Sequence, residues 1–477
     1  MKRTFIAWLL NLFKILFWIA YIGGAITFIV FAIIFITPIA NDFSFTIVIL
    51  AISAIGAVVL LILLNIAMRI IGDYRARKHN RLILKIKETL NKIFKKGPKQ
   101  RTFDPLKPYL NQVEAIETAS GSFSEENNKE ITHALREMKA GAQLQKQVLY
   151  SLSAWKRTNG LLLIGWLNDP QQIPLLNEAF YTKDPGISYP AAIALARYDS
   201  KATYLALIIA LEEGFIERNY ITAVMETANY RDKINVLMEK APHLNIEARY
   251  WAAYLLGRTK DRRVLPTLKK LSTDKDADVR AMVATAFSWI PDRQYTEVII
   301  KLLKDPVWFV KVQAARTAGI FREPELIANL RQLMHDKHFW VRNAGAIGLM
   351  KYGKEAVPDL EKLLKDKDRF ARNKAAELLG DAGVTHEKVL DLSKSEETQH
   401  LAENYLVEIG RAEAISIIWQ ETLLAKPSVQ LKLLDVIEKI DTPKFKPLLT
   451  ELEKTASKDV SERAKTINKQ FNKRRAA

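Results

Sequence analysis

The sequence predicts an all-α chain, with a two-span transmembrane helical hairpin followed by an α-solenoid of about ten to eleven helix pairs. Three observations predict it. Two long uncharged apolar runs lie near the N-terminus, a beat of about thirty-one residues runs through much of the remainder, and alternating strand patterns are scarce. The domains drawn from these signals are 1–72 for the hairpin, 73–108 for a basic amphipathic helix and linker, and 109–477 for the array.

The hairpin rests on length. Residues 17–36 and 43–68 carry no charged side chain, and about twenty apolar residues are enough to cross a hydrocarbon core of about 30 Å. The join 37–42 (TPIAND) contains only Asp42. A cleaved leader is the competing reading of the first run, but the run is too long and a second follows at once. Lys2, Arg3 and Lys14 precede the first run, a dense basic stretch follows the second, and the join has no basic residue. The positive-inside bias therefore places both termini and the array on the cytoplasmic side of the plasma (inner) membrane. Gly23-Gly24, and Ser53 with Gly56-Ala57, offer small faces for packing against other membrane helices.

The formal charge of +18 is unevenly distributed. Sixteen basic and four acidic residues fall in 1–108, leaving fifty-five and forty-nine beyond it. The excess at the membrane end points to anionic lipid headgroups and away from nucleic acid. The candidate lipid contacts are Arg75, Arg77, Lys78, Arg81, Lys85, Lys87, Lys92, Lys95 and Lys96. Within 76–96, Leu82, Ile86, Leu90 and Ile93 share one helical face. Such a helix either lies in the headgroup plane or covers the end of the array. Gly97, Pro98, Pro105 and Pro108 then mark a linker.

The array announces itself at Asp274, Asp305, Asp336 and Asp366, each followed six residues later by a cation: Arg280, Lys311, Arg342 and Arg372. The steps are 31, 31 and 30 residues. Leu268, Ile299, Leu330 and Leu360 stand six residues before the aspartates, and Leu271, Leu302, Leu333 and Leu363 three before. That spacing makes one apolar stripe on a first helix. The aspartate sits in a polar turn, where it is expected to cap the second helix. Four residues after each cation a small side chain (Ala284, Ala315, Ala346, Ala376) allows close helix approach. Eight after it, Gly319 and Gly380 stand where a left-handed helix end is expected. Upstream, Arg249 with Ala253 and Gly257 repeats the pattern, Arg157 with Gly165 is a plausible match, and Arg218 is degenerate.

The segments DKDADVRAMVATAF (274–287), DPVWFVKVQAARTAG (305–319), DKHFWVRNAGAIG (336–348) and DKDRFARNKAAELLG (366–380) resemble HEAT repeats in the short form grouped with bilin-lyase-like repeats. The resemblance implies that aspartate and cation form a ladder between neighbouring units. It assigns that role to Asp274/Arg280, Asp305/Lys311, Asp336/Arg342 and Asp366/Arg372, with a weaker rung at Lys311, which lacks the guanidinium fork. It also implies a frame that binds proteins. It specifies fold better than function.

No phosphate loop, dinucleotide fingerprint, HExxH or nucleophile elbow is present, and there are no cysteines. No catalytic, cofactor or metal residue is therefore assigned. His335 and His338 flank a turn around Asp336, read as a solvated turn over a metal pair. One feature rises above the frame. Phe309, Trp340 and Phe370 precede the second helices, with Trp308 and Phe339 beside them, whereas neighbouring units carry Asp278, Glu247 and Glu217 there. The strip either anchors a partner or packs between units. The leading expectation is a non-enzymatic, membrane-anchored scaffold that holds a protein partner on the cytoplasmic side. The alternatives are an accessory subunit of an envelope-assembly or export complex, and a bilin-lyase-like enzyme.

Overall fold

A computed structural model describes the backbone of residues 43–476 and the side chains of residues 61–472. The described residues are helical throughout, with short 3-10 turns and no strand. The chain divides into two compact units, 1–143 and 144–477. The sequence boundary at 108/109 falls inside the first.

In the first unit a helix of 52 residues, Phe43–Phe94, carries the second apolar run directly into the basic stretch. Among the residues described with their side chains, no helix is long and apolar enough to cross a membrane. The first expected span, 17–36, and most of the second lie outside those residues. The amphipathic stretch resolves one open alternative. Ile86, Leu90 and Ile93 are buried, and the helix packs on Val113–Ser120, whose Val113, Ile116 and Ala119 are buried as well. The apolar face is taken by protein and is not available to lie in a headgroup plane. The nine candidate lipid-contact cations are all exposed, seven on the rest of the helix and Lys95 and Lys96 just beyond its end.

Residues 97–108 are not a free linker either. Pro98–Gln100 and Asp104–Gln112 form 3-10 turns. Phe94 is wedged between Phe103 and Phe123, with ring centroids 5.9 and 5.4 Å away. Arg101 lies over the Phe94 ring at 4.9 Å and bonds Glu130 at 2.7 Å.

The second unit holds ten consecutive helix pairs, from Ile173–Phe180 with Pro185–Ala196 to Lys446–Thr455 with Lys458–Ala476, preceded by helix Ala154–Leu167. This agrees with the expected ten to eleven. The leucine stripe is the core: Leu268, Ile299, Leu330 and Leu360 are all buried. A lone helix pair cannot bury that stripe, and its neighbours complete the burial. Before several first helices a 3-10 turn is closed by an aspartate: Asp169, Asp261 and Asp292 each accept the N–H of the residue two on.

The glycines act differently from the sequence expectation. Gly319 and Gly380 lie inside helices Trp308–Phe321 and Arg369–Asp381, not in left-handed ends. A Cβ on Gly319 would sit 3.3 Å from the Gly348 Cα of the next unit, and one on Gly257 would sit 2.7 Å from the Ala286 Cβ. Glycine here permits backbone-to-backbone contact between successive second helices. The buried Ala284, Ala315, Ala346 and Ala376 serve the same approach.

This packing predicts that Gly257→Val destabilises the chain by about 1–3 kcal/mol through overpacking. Gly97→Ala, where nothing lies within 4 Å, is expected to stay within about 0.5 kcal/mol of the parent. Urea denaturation monitored by circular dichroism checks both.

Candidate interaction surface

The periodic aspartates do not cap the second helices. Each folds back on its own turn: Asp274, Asp305, Asp336 and Asp366 accept the N–H of residues 276, 307, 338 and 368 at 2.8–2.9 Å. True caps lie two residues later, where Asp276 accepts from Asp278 and Val279, and Asp368 from Ala371. A short side chain two residues ahead of a backbone N–H closes such a turn without strain. The expected cap was therefore displaced by two positions.

The same carboxylates also meet the cation of the preceding unit. Arg249 forks onto Asp274 at 2.6 and 2.9 Å. Arg280 forks onto Asp305 at 2.7 and 2.9 Å, and Lys311 bonds Asp336. Each of these rungs spans 25 residues. The cations also clamp their own turns, a role with no visible sequence signal. Arg280 donates to the carbonyls of Asp274 and Lys275, and Arg249 to that of Leu244. Arg218, degenerate in sequence, donates to the Leu211 and Glu212 carbonyls and pairs with Glu247. Burial alone would push the Asp274 and Asp336 carboxyls up. The bonds from Arg249 and Lys311, and from the turn N–H groups, outweigh it and hold both below the ordinary value of 3.8.

The fourth rung, expected at Arg342 and Asp366, is absent. Their separation is 24 residues instead of 25. Helix Phe339–Met350 has 12 residues where its predecessor has 14, and it packs far less on Arg369–Asp381 than on Trp308–Phe321. Arg342 instead lies over the Phe370 ring at 4.6 Å, and its buried Nε has no partner. Asp366 is met by His335 Nε2 at 2.9 Å. Its carboxyl is held below 3.8 by the Asp368 N–H, against burial, with His335 adding to the effect. Arg372 clamps the carbonyls of Asp366 and Lys367 but makes no ion pair among the described residues. His338 is engaged by Asp336 at 3.0 Å. The two histidines thus point to different carboxylates, and no described cluster of His, Asp and Glu could hold a metal ion.

The aromatic strip divides by burial. Phe309 and Phe370 are half-buried, Phe370 against Phe339 and Arg342 of the preceding unit, whereas Trp308, Phe339 and Trp340 are 40, 54 and 61% exposed. Trp308 stacks on His338 with centroids 6.2 Å apart, and Phe339 meets Phe370 at 6.0 Å. The rings therefore run across three consecutive units. Packing within the frame accounts for Phe370, whereas Trp308, Phe339 and Trp340 remain exposed. A further recurrent contact had no sequence signal. Tyr198 and Tyr352, near the ends of two second helices, donate to carbonyls of the preceding unit: Ile164 and Asp169 for the first, Ala318 and Glu323 for the second.

Periodic helix pairs, an aspartate turn and a cation rung to the next unit match a known frame. Residues 234–311 and 296–380 match the family model for HEAT repeats. That stretch is built of HEAT repeats. No curated protein matches the sequence. Solved structures similar to the chain include the complex of CpcE and CpcF of phycocyanin lyase from Nostoc sp. PCC7120, at 16% identity, covering 50% of this chain and 94% of that one, with a TM-score of 0.27. An engineered protein is similar at 19% identity over 76% of this chain and 98% of its own, with a TM-score of 0.29. Importin beta is similar at 12% identity over 74% and 60%, with a TM-score of 0.37. In the HEAT segment, the ladder, the clamps and the exposed rings all lie along the turns and the beginnings of the second helices.

Two outcomes follow for the ladder. Arg280→Ala leaves Asp305 buried and unpaired and is expected to cost about 3 kcal/mol, whereas Arg342→Ala, which breaks no ion pair, is expected to cost less than about 1 kcal/mol. Urea midpoints of the two variants check this. The depressed carboxyls of Asp274, Asp336 and Asp366 contribute stability that is complete above pH 3.8 and is lost as the pH falls below it, through their lowered folded values. A thermal-melting series across that range should show Tm falling steeply on the acid side, with a shallower fall in Asp274→Asn.

Proposed function

We propose that the chain is a membrane-anchored HEAT-repeat scaffold that holds a protein partner on the cytoplasmic side of the membrane. The exposed Trp308, Phe339 and Trp340 carry this reading. The repeat needs no aromatic at these places: neighbouring units carry Asp278 and Glu247 at the place of Trp340, and Ala277 and Arg369 at the place of Trp308 and Phe339. Large exposed rings on consecutive units are the side chains that anchor protein interfaces.

Membrane attachment is supported by the sequence of 17–36 and 43–68 and by the exposed end of the second run. Leu61, Ile62, Leu63, Ile66, Met68 and Ile70 are each about half exposed or more. They face several directions around the helix and form no single stripe, a pattern that suits lipid on all sides. The basic residues that follow suit an anionic leaflet through their head groups alone, because the apolar face below them is covered by protein. The absence of a recognisable catalytic constellation in the sequence favours binding over chemistry.

A photo-crosslinking residue placed at Phe339 in cells tests the docking surface. The expected result is a discrete protein adduct at Phe339 and none at Lys260, an exposed turn residue on a different repeat. No adduct at Phe339, or the same adducts from both, contradicts the reading. Membrane fractionation tests the anchor: the full chain should sediment with membranes and resist alkaline extraction, and removal of residues 1–72 should release it.

A further inference from the structure

The charges around the exposed rings identify the chemistry of the occupant. On the turn edge of the three units the carboxylates are already engaged. Asp305 is held by Arg280 and Asp336 by Lys311. Asp366 is held by His335 and its own turn, and Asp368 by the Ala371 N–H. The cations are not matched in the same way. Lys304, Lys337, Lys365 and Lys367 are exposed, and their ammonium groups make no hydrogen bond or ion pair among the described residues. The ladder's own cations lose their carboxylates at the same place. Arg342 and Arg372 lie beyond the last rung and have no carboxylate, whereas Arg218, Arg249, Arg280 and Lys311 each have one.

A cleft of about 530 Å³ opens beside this edge, lined in part by Lys304, Lys311, Lys337, Asn329 and Gln332. The edge therefore joins exposed apolar rings to lysine ammonium groups that pair with no carboxylate among the described residues.

Resting on the docking surface proposed above, we infer that the occupant is an acidic protein segment bearing apolar side chains. Trp308, Phe339 and Trp340 receive the apolar groups. Lys337, Lys367 and Arg342 receive the carboxylates. Charge complementarity of this kind selects the partner and its register more than it adds affinity. Single-stranded nucleic acid fits the rings less well. Proteins that bind it offer ring faces on which successive bases stack. Here three of the four ring pairs meet edge-on, at 89° for Trp308 and Phe309, 71° for Phe339 and Trp340, and 77° for Phe339 and Phe370, and one face of Trp308 is already taken by His338.

The test is fluorescence anisotropy with the purified full chain in mild detergent. The probes are a labelled synthetic peptide of alternating Glu/Asp and Leu/Phe, its Gln/Asn counterpart, and a single-stranded oligouridylate. The acidic peptide is expected to bind at least about tenfold more tightly than the neutral one and to weaken with added salt. Trp340→Ala, with an unchanged Tm, and the charge reversals Lys337→Glu and Lys367→Glu should each weaken it about tenfold. Should Trp340→Ala perturb folding, the exposed lysine variants carry the test alone.

Equal binding of the neutral peptide, tighter binding of the oligouridylate, or no binding by either peptide overturns the inference. The crosslink at Phe339 separates these failures from failure of the docking surface itself. An adduct there without acidic preference leaves the surface standing and removes only the charge selection.

Discussion

The HEAT segment depends on one shared carboxylate per turn. One oxygen accepts the N–H two residues on and fixes the turn, and the arginine of the preceding unit forks across both oxygens. The same cation reaches back to the carbonyls of its own turn. Turn shape and inter-unit register are thereby set by one group. A leucine stripe supplies most of the attraction between helices, but apolar contact is non-directional and would tolerate sliding. Charge-assisted bonds with two or three fixed partners do not tolerate it. The ion pairs are mostly buried, so their net stabilisation against an apolar replacement is small. Their role in this chain is to hold register.

Register matters because the second helices touch through backbone. Gly165 and Gly257 allow contacts too close for a Cβ, and Gly319 one that a Cβ would crowd. A shift of one residue would replace these glycines with side chains. Where one repeat is a residue shorter, the ladder fails: Arg342 turns onto Phe370, and the next second helix is less closely held. The chemistry of the surface changes there as well. Upstream, each ladder cation meets a carboxylate. Around Phe339 and Trp340, cations remain unmatched beside exposed rings. The loss of the rung at Arg342 is thus a local consequence of a one-residue difference in repeat length.

Much of the frame was legible in the sequence because periodicity averages over units. The aspartate step gave helix pairs, their number, the core leucines and three of the rungs. Details that depend on a single residue's direction were not legible. Asp274 was read as a cap, but an Asx turn and an N-cap use the same residue type, and the cap proved to be Asp276. Gly319 and Gly380 were read as helix ends, although a glycine pattern cannot distinguish a left-handed end from a close crossing. The step of 30 was visible, yet its effect on Arg342 required the placement of Phe370. The two alternatives for Ile86, Leu90 and Ile93 were separable only by locating helix 113–120 against them. Phe309 and Phe370 differ from Trp308, Phe339 and Trp340 in burial, which spacing alone does not report. The clamps and the Tyr198 and Tyr352 bonds end on backbone carbonyls, which leave no residue pattern to read.

The most direct measurement is a pair of double-mutant cycles on the full chain. One crosses Arg280→Met with Asp305→Asn; the other crosses Arg342→Met with Asp366→Asn. Stabilities come from urea denaturation. A ladder that sets register up to Asp336 and stops there predicts a favourable coupling of roughly 1–3 kcal/mol in the first cycle and a value near zero in the second. Equal coupling in both cycles, or none in the first, would contradict the account.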